Sequence, residues 1–112
     1  MADPRVKSLK IKSGILKRIT KEKVLYVQEA EKQGEKVKQM KEKEEDEYHI
    51  RKQEEVLAES RMMVPECQKR LVKAYEDLKN LIDFETDLKG SEEYKVALGI
   101  LGDAEVHIDS AN

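Results

Sequence analysis

The fold is decided by the stretch at residues 50–88, which reads IRKQEEVLAESRMMVPECQKRLVKAYEDLKNLIDFETDL. Alternating steps of three and four residues select twelve positions along it, and nine of these are apolar. Such a heptad repeat is typical of a helix that packs along one seam against other helices. The twelve positions are Ile50, Gln53, Leu57, Ser60, Val64, Cys67, Leu71, Ala74, Leu78, Leu81, Glu85 and Leu88.

A similar seam precedes this stretch, and seven of its ten positions are apolar. Its register is shifted by one residue relative to the repeat at 50–88, so the two seams predict two separate helices. Ile11 and Ile15 lie beside the first seam and widen it, which is typical of a helix that touches more than one neighbour. The ten positions are Leu9, Lys12, Leu16, Ile19, Lys23, Tyr26, Ala30, Gln33, Val37 and Met40.

Two interruptions separate the predicted helices. The first contains the acidic run Glu44-Glu45-Asp46-Glu47, which predicts a short connection with Asp46 as the N-cap of the second helix. A single continuous helix through this run is the alternative, because the run holds no glycine or proline. At the second interruption, Gly90 is predicted to take the left-handed conformation after a helix and Ser91 to cap the next one.

These patterns predict an all-α fold, an elongated antiparallel three-helix bundle with coiled-coil-like packing. The helices are predicted at about 6–42, 47–88 and 92–108, within one domain at 1–112. The second helix is predicted to be kinked at Pro65, because proline inside a helix removes a backbone hydrogen bond. A composition of 41% charged and 4% aromatic residues, with five Gly and two Pro, offers little turn chemistry for a fold of many strands.

The chain lacks the sequence signatures of common enzymes. It has no phosphate-binding loop and no G-x-S-x-G, H-E-x-x-H or C-x-x-C motif, which predicts a protein that is not an enzyme and needs no cofactor. His49 and His107 fall at the ends of different helices, so a metal site with three or four convergent ligands is not expected. Cys67 lies on a seam and is expected to be buried; a single cysteine suits a reducing compartment, the cytosol or nucleus.

Charge is unevenly distributed along the chain. Residues 1–40 carry a net charge of +6 and residues 41–112 a net charge of −8. The basic part could follow nucleic-acid phosphates, meet an acidic protein surface, or form a solvated helix face. The flanks of the basic segment at residues 5–23 lack the aromatic residues that would stack on bases, which, together with the overall charge of −2, argues against nucleic acid. No apolar run reaches the length of a signal peptide or a membrane span, so no membrane partner is expected.

The segment at residues 59–67, ESRMMVPEC, interrupts the second seam with a proline. Because Val64 and Cys67 occupy seam positions, Pro65 and Met62 are predicted to point outward. An outward methionine beside a kink is an adaptable apolar contact for a partner. The alternative is that the kink only bends the helix to follow its neighbours.

Over nearly its whole length the chain closely resembles the tubulin-specific chaperone A family, also called tubulin folding cofactor A. The resemblance rests on Met1-Ala2-Asp3-Pro4-Arg5-Val6, on Lys17-Arg18 and, above all, on residues 59–67 with Lys69-Arg70-Leu71 after them. The first connection departs from the family pattern, which usually contains a glycine there.

This resemblance implies a three-helix protein of the cytoplasm, associated with the cytoskeleton. Such a protein captures β-tubulin after its release from the chaperonin and holds it on the route to the αβ-tubulin heterodimer, without consuming nucleotide. Tubulin folding cofactor D is implied as an indirect partner, to which β-tubulin is handed on. The chain is expected to be a monomer or a homodimer, and a general coiled-coil scaffold or adaptor is the alternative function.

The partner is expected to contact outward basic and apolar residues of the first two helices, with the basic ones meeting acidic tubulin surface. The predicted contact residues are Lys17, Arg18, Lys21, Arg61, Met62 and Lys69.

Overall fold

The computed structural model describes residues 3–109 and contains three α-helices. They are α1 (Pro4–Glu42), α2 (Glu47–Phe84) and α3 (Glu92–Asp109), with a short 3-10 helix at Thr86–Leu88. No strand occurs between residues 3 and 109, so the all-α, three-helix prediction is confirmed. The predicted domain bounds of 1–112 extend beyond the described residues at both ends.

Two compact units divide the chain. The first unit combines residues up to Lys21 with those from Gln68 onward, and the second unit is Glu22–Cys67. The first unit therefore takes the beginning of α1, the C-terminal half of α2 and all of α3, whereas the second unit takes the rest of α1 and α2. The prediction of a single domain stays a prediction.

The core of the first unit combines seam residues of α1 and α2 with apolar residues of α3, and in α2 it includes Ile82, which is next to the predicted seam position Leu81. The Tyr94 hydroxyl, buried with this core, donates a hydrogen bond to the Ile82 carbonyl at 3.2 Å and so ties α3 to α2. Since apolar burial supplies most helical stability in water, this cluster is the main source of stability in the first unit. The buried apolar residues are Leu9, Leu16, Ile19, Leu71, Ala74, Leu78, Ile82, Leu88, Tyr94, Ala97 and Ala104.

The second unit is an antiparallel pair of helices with a smaller core. Its buried apolar residues are Val37, Met40, Leu57 and Cys67, which confirms the expected burial of the cysteine. Lys23 is also buried on this seam, and its burial lowers the pKa of its ammonium group.

Polar contacts between these two helices show their antiparallel order. The side-chain amide of Gln33 donates to Gln53 Oε1 at 2.8 Å, and Lys41 Nζ lies 3.3 Å from Glu54 Oε2. Positions later in α1 thus meet positions early in α2.

The first connection ends α1 with a Schellman motif. The amide of Glu45 donates to the Met40 carbonyl at 3.1 Å and the amide of Glu44 donates to the Lys41 carbonyl at 3.1 Å, which is the pair of bonds that defines this motif. Glu44 takes the left-handed conformation, with φ of 54°, at the position where glycine is usual. The helix therefore stops there, α2 begins at Glu47 directly after Asp46, and the continuous-helix alternative is excluded.

Replacing Glu44 with glycine is expected to raise the free energy of unfolding by about 0.5–1 kcal/mol. A side chain in the left-handed region costs about 1–2 kcal/mol, and the larger backbone entropy of unfolded glycine offsets part of the gain. Urea denaturation followed by circular dichroism measures the change. Glu45→Gly is the control, because Glu45 has no positive φ; an equal gain in both variants would contradict the assignment.

The second connection, which joins α2 to α3, differs from the predicted one. The helix predicted to extend to residue 88 ends at Phe84, because Glu85 turns out of the helical region with ψ of 56°. The 3-10 helix that follows repeats every three residues, so it keeps Leu88 in phase with the seam and buried. The heptad pattern could not distinguish the two kinds of helix for this reason.

Of the two predictions made for the start of α3, the one for Ser91 is confirmed and the one for Gly90 is wrong. Ser91 caps α3, since its hydroxyl accepts a hydrogen bond from the Tyr94 amide at 3.2 Å and donates one to the Leu88 carbonyl at 2.8 Å. Gly90 does not take the predicted left-handed conformation, because no glycine in residues 3–109 has a positive φ. Since α2 has already ended before Glu85, no helix terminus at Gly90 requires that conformation.

The beginning of α1 is fastened to the second connection. The Asp3 carboxylate accepts a hydrogen bond from the Arg5 amide at 2.9 Å, and Pro4 occupies the first helical position, so α1 starts two residues before its predicted start. The Arg5 guanidinium lies 3.1 Å from Glu85 and 2.6 Å from Asp87. Its hydrogen bond to the Asp3 carboxylate holds the pKa of Asp3 below its usual value.

The helical conformation of α2 continues through Pro65, which is exposed. The outward position predicted for Pro65 is therefore confirmed, whereas the kink stays a prediction.

Candidate functional site

All six predicted contact residues are exposed. In the first unit, α1 carries Lys17, Arg18 and Lys21, and α2 carries Lys69. The other two, Arg61 and Met62, belong to α2 in the second unit. Exposure makes all six available to a partner, and their role in binding stays a prediction.

Lys17 and Lys21 lie one turn apart on α1 and line a groove between α1 and α3, called here the α1–α3 groove. This groove has a volume of about 380 Å³, and α3 contributes Val96 and Ile100 to it. Asp103 is the acidic residue of its lining. The groove thus places two cations beside apolar side chains, an arrangement that suits a partner with mixed acidic and apolar surface.

Met62 is 65% exposed on α2 in the second unit, as its position opposite the seam predicts. Its neighbour Met63 and, two turns earlier, Val56 are also exposed apolar residues. Arg61 lies over α1, because its guanidinium Nη2 would be 3.7 Å from a Cβ atom placed at Gly34. Flexible methionine side chains suit contact with an irregular apolar surface.

A further groove lies between α1 and α2 in the first unit and is called here the α1–α2 groove. Its volume is about 220 Å³. The sequence indicated it only indirectly, through the isoleucines that widen the first seam, because a groove exists only once two helices are packed. Its lining residues are Lys12, Ile15, Ile19, Arg70, Lys73, Ala74 and Asp77.

These surfaces are suited to binding by contact. Within residues 3–109 no three His, Cys, Asp or Glu residues come together as a group that could hold a metal ion. None of the helices in this part of the chain combines the length and apolar character needed to cross a membrane. The linings of the two grooves combine charged and apolar side chains.

The sequence matches known proteins over most of its length. The profile of the family described as "Tubulin binding cofactor A" matches residues 4–101. Human "Tubulin-specific chaperone A" is 52% identical over 101 residues, which cover 90% of this chain and 94% of the human protein. The similarity is therefore not confined to one helix or one motif.

Solved structures show the same architecture. The structure of "human tubulin chaperone cofactor a" matches with a TM-score of 0.81 and 46% identity, covering 91% of this chain and 99% of that one. The crystal structure of tubulin folding cofactor A from Arabidopsis thaliana matches with a TM-score of 0.84 and 39% identity, covering 92% and 97% of the two chains.

Proposed function

The chain belongs to the tubulin binding cofactor A family, and from that membership we propose that it is a tubulin-folding chaperone that captures β-tubulin after its release from the chaperonin. It holds the captured chain in the cytoplasm on the pathway to the αβ-tubulin heterodimer and hands it on to tubulin folding cofactor D. The observation that carries this proposal is the family match, which extends over residues 4–101.

The mechanism is holding without turnover. Binding of a folded or nearly folded client stabilises it by RT ln(1 + [L]/Kd), which requires no nucleotide and no chemical step. Release then follows from competition when a further cofactor or α-tubulin binds the same surface of β-tubulin more tightly.

The six exposed residues identified above are proposed as much of the contact. Lys17 and Lys21 support this role because they stand beside the apolar lining of the α1–α3 groove. Met62 supports it because an apolar side chain that is 65% exposed gains from burial against a partner. The full set is Lys17, Arg18, Lys21, Arg61, Met62 and Lys69.

The test is a native-gel or size-exclusion binding assay of the purified chain with chaperonin-released β-tubulin, with α-tubulin in parallel. A stable complex with β-tubulin and none with α-tubulin is the expected result. Sedimentation of the free chain, run beside it, distinguishes a monomer from a homodimer. A helical, folded chain that binds neither tubulin would overturn the proposal and favour a general helical scaffold.

A further inference from the structure

We propose that the α1–α2 groove binds an amphipathic helix of the tubulin client, one that presents acidic residues beside an apolar stripe. The proposal rests on the proposed function and adds to it a second contact surface on the first unit. This surface is distinct from the α1–α3 groove, which holds Lys17 and Lys21.

The floor of the α1–α2 groove is apolar and partly open to solvent. Ile15, Ile19 and Ala74 form it, and Ile15 is 36% exposed. One turn earlier on the same side of α1 lies Ile11, which is 53% exposed and extends the apolar stripe. Ile11 and Ile15, exposed one turn apart, thus form a short apolar stripe that a partner helix can contact, and the buried side chains of Ile19 and Ala74 close the floor beneath its end.

The rim of the groove is basic. Lys12, Arg70 and Lys73 line it, against a single acidic residue, Asp77. Lys73 lies 4.0 Å from Asp77, but its side chain is 81% exposed, so this ion pair is open to water and weak. A partner that carries acidic residues on both sides of an apolar stripe would complement this rim.

The geometry favours a helix as the occupant. Two packed helices leave a groove that the side-chain ridges of another helix can fill. The first unit has three helices, and α3 packs beside the other flank of α1, where Lys17 and Thr20 line the α1–α3 groove. With 3.6 residues per turn, Ile15 and Ile19 lie on the opposite flank. A client helix bound here would be a fourth helix beside the three of the first unit. Binding of an amphipathic helix in an apolar groove is a recognised mode of protein recognition.

Charge reversal at the rim tests the proposal. The variant K12E/K73E is compared with K79E/K95E, which makes the same change in net charge on other surfaces of the same unit. The control is matched because Lys79 pairs with Asp83 at 3.0 Å four residues later, as Lys73 pairs with Asp77. Circular dichroism and thermal melting establish that both variants remain folded, and titration with β-tubulin gives the affinities.

We expect K12E/K73E to weaken β-tubulin binding by about tenfold or more, and K79E/K95E by less than about threefold. Equal affinities of the two variants, with the unaltered chain binding normally, would overturn the groove proposal alone. Failure of the unaltered chain to bind β-tubulin would overturn the proposed function and the groove proposal together, so the two failures are distinguishable.

A cross-linking experiment identifies the occupant. The variant Lys73→Cys is labelled with a thiol-reactive photo-cross-linker. The native cysteine, Cys67, is inaccessible to this reagent because its side chain is fully buried. Cross-links to a β-tubulin segment that is helical and carries acidic residues are expected. Cross-links to a second copy of this chain, or to tubulin segments of another kind, would overturn the assignment.

Discussion

Replacing Leu78 with alanine is expected to lower the free energy of unfolding by about 2–5 kcal/mol. Leu78 is fully buried and is among the largest side chains that have no exposed surface. The substitution removes the transfer energy of the deleted methyl groups and leaves a cavity that the surrounding helices fill only partly. Alanine has the highest helix propensity, so loss of helix formation does not explain the effect.

Urea denaturation followed by circular dichroism measures this loss. Leu98→Ala is the matched control, because Leu98 lies in α3 of the same unit and is 47% exposed. Its replacement is expected to change the free energy of unfolding by about 0.5 kcal/mol or less. Similar losses in both variants would contradict the placement of Leu78 at the centre of the first core.

Reversing the charges of Lys17, Arg18 and Lys21 together is expected to weaken β-tubulin binding by about a hundredfold. The three cations are exposed within two turns of α1, and glutamates in their place would face acidic tubulin surface as like charges. Such a juxtaposition costs several kcal/mol, and each 1.4 kcal/mol corresponds to about a tenfold change in affinity. Salt screens these contacts, so the variant should also show a flatter dependence of affinity on ionic strength.

The control for this variant is the same reversal at Lys32, Lys36 and Lys38, which are exposed on α1 within the second unit. It changes the net charge equally, and we expect it to retain affinity within about threefold, apart from long-range effects on association. Unchanged affinity of the Lys17/Arg18/Lys21 variant, with unchanged helicity, would remove these three residues from the proposed contact.

The ends of the helices show how far local sequence rules extend. Ser91 caps α3 as predicted, because a serine hydroxyl satisfies a free amide at any helix start. The left-handed residue, however, is Glu44, although the chain offers a glycine at Gly90. The Schellman motif that ends α1 places Glu44 at its left-handed position, so this turn imposes the strained conformation on a residue that is not glycine.

The candidate contact residues were predictable in part. Periodicity places apolar residues inward and leaves Lys17 or Met62 outside, so their exposure follows from the sequence. The sequence does not predict which residues of α3 lie beside these lysines. Lys17 and Lys21 line the same groove as Val96 and Ile100, about eighty positions later, and residues so far apart in sequence meet only through packing.

The sequence by itself determined the all-α class, the three helices, the buried faces of the first two helices and the family to which the chain belongs. These properties depend on local periodicity and on residue identity, and the linear sequence contains both. Only the tertiary structure decided the early end of α2 at Phe84, the strained turn at Glu44 and the two grooves of the first unit. The physical reason is that a groove or a turn is created when helices distant in sequence pack together, and the depth and the rim of a groove depend on the side chains of both helices at once.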